Sequence, residues 1–62
     1  MDYKERLKQE FEELEERISR LAIFIHSKKL DEVTPIQRSL LIVQIEAMQT
    51  YSTCLHERIN NL

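Results

Sequence analysis

Glycine and tryptophan are absent from this 62-residue chain, and proline and cysteine occur once each. Without glycine there is no Gly-x-Gly run to cradle a phosphate, which excludes P-loop and Rossmann chemistry. A single cysteine excludes an intramolecular disulfide framework and a four-cysteine zinc site. Strong positive charge is lacking too. Nine Lys+Arg stand against eleven Asp+Glu, giving a net charge of −2 and a pI near 5.6, which is not the balance of a protein that coats duplex nucleic acid. The first residues, Met-Asp-Tyr-Lys-Glu-Arg, offer no apolar core for a signal peptide. The most apolar stretch, residues 39–55, carries Glu46, Gln44, Gln49, Thr50, Ser52 and Thr53, too many polar groups for a membrane span. The expectation is a soluble cytoplasmic protein with a free thiol at Cys54.

Size sets the next constraint. A chain this short buries only about 60% of its unfolded surface, and one small core rarely leaves more than ~3–5 kcal/mol of net stability. An enclosed catalytic cleft has little room, and self-association is the expected remedy.

What the chain does have is helical periodicity. Leu7, Phe11, Leu14, Ile18, Leu21 and Ile25 step by alternating fours and threes, an a/d stripe flanked by good helix formers. This predicts a first helix over about residues 2–28, with Asp2 and Glu5 suited to its N-terminus and Lys28 and Lys29 to its end. Thr34-Pro35-Ile36-Gln37 is a helix start, with Thr34 as N-cap and Pro35 at the first helical position. A corner over about 29–34 and a second helix over about 35–60 follow. Pro35 forbids one continuous helix, so the two helices form an antiparallel hairpin.

The second helix carries two apolar stripes. One is Leu41, Ile45, Met48, Leu55, Ile59 and Leu62, with Ser52 filling a step. The other, on an adjacent face, is Ile36, Leu40, Val43, Ala47, Tyr51 and Cys54. One partner helix covers one stripe. The fold class expected is therefore an all-α helical hairpin, one domain over 1–62, assembling into a homo-oligomeric bundle with the second helix central.

Little in the chain suggests catalysis. Cys54 and His56 are two residues apart and point to different helix faces, and Cys54 reads as a small buried hydrophobe. His26 and His56 stand at opposite ends of the hairpin, and no His-x-x-x-His or Glu-x-x-His step supports a metal. Glu10, Glu12, Glu13, Glu15 and Glu16 read as a solvated face with Glu13–Arg17 and Glu16–Arg20 pairs. Neither cofactor nor metal is expected. The binding candidates are cations and aromatics. Lys28, Lys29 and Arg38 flank the corner beside Thr34, where a helix N-terminus favours anions. Arg58 comes beside Tyr3 at the open end of the hairpin, a guanidinium next to an aromatic ring.

Three segments carry a resemblance: Tyr-Lys-Glu-Arg-Leu at Tyr3 to Leu7, Glu-Leu-x-x-Arg at Glu13 to Arg17, and Gln-Ile-x-Ala-Met-x-x-Tyr at Gln44 to Tyr51. In this order the chain resembles a family of small phage-encoded helical-hairpin proteins of the crAss-like phage type. More loosely it resembles the hairpin domain of phage anti-CBASS and anti-Thoeris sponges, from which it departs in length and in its acidic first helix. That resemblance implies a non-enzymatic counter-defence protein. It would hold a cyclic di- or trinucleotide in pockets between protomers, using Lys28, Lys29, Arg38, Arg58, Tyr3 and Thr34. The alternative is an interaction module whose exposed stripe docks a host defence protein or a phage protein.

Overall fold

Asp2 opens the first helix. Its backbone is extended (φ −79°, ψ 173°) and its carboxylate accepts from the Glu5 N–H at 2.8 Å, satisfying a donor that a helix start leaves orphaned. The computed structural model describes residues 2–62, so Met1 of the domain read over 1–62 lies outside the described residues. Helix α1 spans Tyr3–Ile25, a short 3-10 helix spans Lys28–Glu32, and α2 spans Pro35–Asn60. Among the described residues there is no strand. The architecture is an all-α hairpin, a rod of 42 × 16 × 14 Å.

The corner departs from expectation. Helix α1 stops at Ile25, not near Lys28, and the two lysines belong to the 3-10 helix. The cause is Ser27. Its Oγ donates to the Phe24 carbonyl at 2.7 Å and accepts from the Lys29 N–H at 3.2 Å. One hydroxyl therefore closes α1 and caps the next turn. A helix commonly ends on a glycine in the left-handed region. This chain has none, no described residue has positive φ, and the direction changes through extended Ser27, Val33 and Thr34 instead. Thr34 Oγ1 accepts from the Gln37 N–H at 3.3 Å, with Pro35 in the first turn of α2.

The helices run antiparallel: Tyr3, Phe11 and Glu15 of α1 meet Arg58, His56 and Ser52 of α2. Leu7, Leu14 and Leu55 are buried, with Phe11, Ile18, Met48 and Ile59 packed around them. These are the first-helix stripe and the first of the two α2 stripes. The missing step, Ser52, is itself buried and donates to a Glu15 carboxylate oxygen. The Phe11 and His56 rings stack with centroids 5.7 Å apart. On the outer face Arg20 pairs with Glu16 at 3.1 Å. Glu13 accepts from Gln9 at 3.2 Å, where Arg17 was the expected partner.

The second α2 stripe lies on the outside. Ile36 is 65% exposed, Leu40 52%, Val43 62% and Tyr51 46%. Cys54 is exposed as well, which corrects its expected burial: it sits on the face that α1 does not cover. The Glu10 carboxylate reaches across from α1 to the Tyr51 hydroxyl and raises the phenol's pKa above 10.0, by hydrogen bonding first, then by desolvation and by its charge, with Arg58 acting in the opposite sense.

Two predictions follow from this packing. Leu55 is wholly buried, and truncating such a leucine costs about 2–5 kcal/mol, comparable with the ~3–5 kcal/mol a core this small supplies. Leu55→Ala should therefore lose most helical circular dichroism at 25 °C, whereas Ile36→Ala should keep it. The second concerns pH. The raised pKa means the fold favours the neutral phenol, so this contribution is full below the ordinary phenol value and lost as pH climbs through the raised one. In a Tyr3→Phe background, Glu10→Gln should move the Tyr51 titration down towards 10.0, read by phenolate absorbance at 295 nm. An unmoved titration would remove Glu10 as the cause.

Candidate functional site

The first two turns of α1 set one wall of a groove at the open end of the hairpin. Tyr3, Arg6, Leu7 and Glu10 recur at helical spacing, so they share a face. Leu7 is buried and forms the floor, and Tyr3 is 55% exposed above it. The last turns of α2 bring Arg58 opposite. The five residues line a groove of about 350 Å³. Two guanidinium groups against one carboxylate leave it with a net positive charge. Guanidinium forks suit phosphate and carboxylate oxygens, and an exposed phenol ring beside them suits a base or another flat ring. Glu10 is partly engaged with Tyr51, which leaves the guanidinium groups freer to take an outside anion.

Tyr3 and Arg58 are thus brought together. Arg6, Leu7 and Glu10 were not among the sequence-derived candidates. Their signal was available, since they stand three, four and seven residues after Tyr3, but charged residues in a helix this rich in charge carry no distinguishing mark.

Lys28, Lys29, Thr34 and Arg38 lie at the other end, around the corner. Lys28 and Lys29 are exposed on the 3-10 helix. Thr34 Oγ1 is occupied by its capping bond. Arg38 is half-buried, and its Nε is shut from water with no hydrogen-bond partner. From Pro35 to Arg58 the helix rises about 35 Å. One chain therefore holds two separate groups, Tyr3 with Arg58 and the four corner residues, and does not gather the six into one pocket.

A smaller recess of about 270 Å³ lies mid-rod between Glu15, Ile18, Gln49, Ser52 and Thr53. Its only charged group, Glu15, already accepts from Ser52. His56 lies against Phe11 while Cys54 points to the uncovered face, so the two do not form a nucleophile and base. Among the described residues no group of three or more His, Cys, Asp or Glu is placed to hold a metal ion, and no helix is long and apolar enough to cross a membrane.

Comparison with known proteins bears on this groove. The chain is 35% identical over 57 residues to a protein of Enterobacteria phage T4 described as an uncharacterized 7.5 kDa protein in the denB-rIIB intergenic region, covering 92% of this chain and 89% of the relative. No solved structure matches. A family model named Sequestin matches residues 1–61, which takes in α1, the corner, α2 and every residue of the groove. With all but its last residue inside that match, and a small phage protein as its relative, the chain belongs to the Sequestin family.

Proposed function

We propose that the protein is a non-enzymatic phage counter-defence protein that sequesters a cyclic oligonucleotide immune signal in pockets between protomers. The observation that carries this reading is the open-end groove. It joins Arg6 and Arg58, suited to phosphate oxygens, to the exposed ring of Tyr3, suited to a base. The groove is shallow on its own and opens beside the uncovered apolar stripe of α2, so a second chain on that stripe would supply the missing wall. The family's name speaks of sequestration, and the T4 relative is a phage protein. The looser resemblance to the hairpin domain of anti-CBASS and anti-Thoeris sponges supplies the ligand class. Capture is stoichiometric: fixed cations neutralise the phosphates, the phenol ring and apolar rim cover the bases, and no bond of the ligand is broken.

The corner has a part in the same reading. Lys28, Lys29 and Arg38, the last with an unused Nε donor, serve as the cations of the second wall, with Thr34 beside them. The host cytoplasm is where such a signal is met.

A panel of cyclic di- and trinucleotides tests the proposal by thermal melting. A ligand at 100 times its dissociation constant stabilises by about 2.7 kcal/mol, which for a domain of this size is a rise of about 10–20 °C. Arg58→Ala and Tyr3→Ala should each lose most of that rise while keeping helical content, and the triple change of Lys28, Lys29 and Arg38 to Ala should weaken it. The nucleotide should be recovered intact after the protein is denatured. If no member of the panel shifts the melting temperature, sequestration of this class fails. A host or phage protein captured through the exposed stripe would then support the interaction-module reading.

A further inference from the structure

The uncovered stripe of α2 has a symmetry of its own. Ile36, Leu40, Val43, Ala47, Tyr51 and Cys54, continued one turn on by the charged Arg58 of the groove, are separated by four, three, four, four, three and four residues. The order of steps reads the same from either end, with Ala47 at the centre. Two copies of α2 laid antiparallel about Ala47 therefore place each stripe residue opposite another: Ile36 against Arg58, Leu40 against Cys54, Val43 against Tyr51, and Ala47 against itself.

The sizes fit this pairing. The large Tyr51 meets the smaller Val43, Leu40 meets the small Cys54, and two alanines at the centre let the backbones approach, so that large and small residues interdigitate. A parallel pair would instead stack Tyr51 on Tyr51 beside an alanine gap. A parallel pair also brings Arg58 against Arg58, whereas the antiparallel pair sets it over Ile36. Ile36, Leu40, Val43 and Tyr51 are each about half exposed or more, so a second copy laid on them buries apolar surface that the single hairpin leaves in water.

We infer that a second copy of this chain covers the stripe, as a twofold antiparallel dimer centred on Ala47 in which each open-end groove is walled by the partner's corner. The open end of one rod lies beside the corner of the other. Tyr3, Arg6 and Arg58 of one copy then share a seam with Lys28 and Lys29 of the partner's corner, and the dimer holds two such seams. This deepens the proposed function, resting on it for the seam's ligand, but the dimer geometry is tested without any ligand.

The test is disulfide trapping under mild oxidation, with sedimentation of the unmodified chain at tens of micromolar alongside. In the antiparallel register Cys54 lies about 21 Å along the axis from its own copy, so the native chain should sediment as a dimer yet stay unlinked on a non-reducing gel. Leu40→Cys puts a thiol opposite the partner's Cys54 and should convert most of the protein to a linked dimer. Leu40 is exposed in the single chain, so the change spares the core. Ala47→Cys in a Cys54→Ser background should also link, through the symmetry axis. A native chain that links through Cys54 means a parallel pair and overturns the inference. So does sedimentation at 7.5 kDa, or a Leu40→Cys variant that is dimeric and folded but does not link. A trapped dimer that binds no cyclic nucleotide leaves the geometry standing and removes the ligand assigned to the seam.

Discussion

The second helix has two apolar faces, and a hairpin offers it only one neighbour. Helix α1 covers Met48, Ser52, Leu55 and Ile59, and leaves Ile36, Leu40, Val43 and Tyr51 about half in water or more. Sliding or rotating α1 does not cure this, because exchanging one stripe for the other uncovers Leu55. Covering both apolar faces of α2 takes a third helix.

That constraint ties stability to association. Three buried leucines, at about 1.5–3 kcal/mol each for leaving water, form a thin core against the entropy of ordering a whole chain. Whatever covers the second stripe adds apolar burial of the same order as the core itself. The folded population then depends on the covering partner by mass action. Polar groups along the intramolecular seam set its register. Ser52 with Glu15, Phe11 with His56 and Glu10 with Tyr51 each link a specific step of α1 to a specific step of α2, and a slip of one turn would break all three.

Much of the hairpin was legible in the residues. The stepping of Leu7 to Ile25 and the Thr34-Pro35 start signal gave both helices, because repeating apolar positions and a proline act locally. The end of α1 was less legible. Ala22, Ile23 and Phe24 prolong the apolar run, while Ser27 acts through a side-chain bond back to Phe24 that composition does not reveal. Cys54 and Tyr51 could be assigned to a stripe, but not to the inside or the outside of one chain, since two stripes compete for one neighbour. The groove was half legible. Antiparallel pairing alone put Arg58 near Tyr3, whereas Arg6 and Glu10 are two of many charges in α1 and are distinguished only by which side of Leu7 they flank.

The absence of glycine has a consequence for binding as well as for the corner. Among the described residues none lies in the left-handed region, and residues 26–34 between the rods are mostly a five-residue 3-10 helix, not a long loop that could fold over a ligand. The cations of the groove and of the corner stand at opposite ends of a 42 Å rod. In the proposed dimer, antiparallel copies bring unlike ends together. Open end would then meet corner, and the aromatic with its guanidinium groups would share one seam with the lysines of the other chain. Enclosure by symmetry produces two identical seams per pair and requires no moving lid.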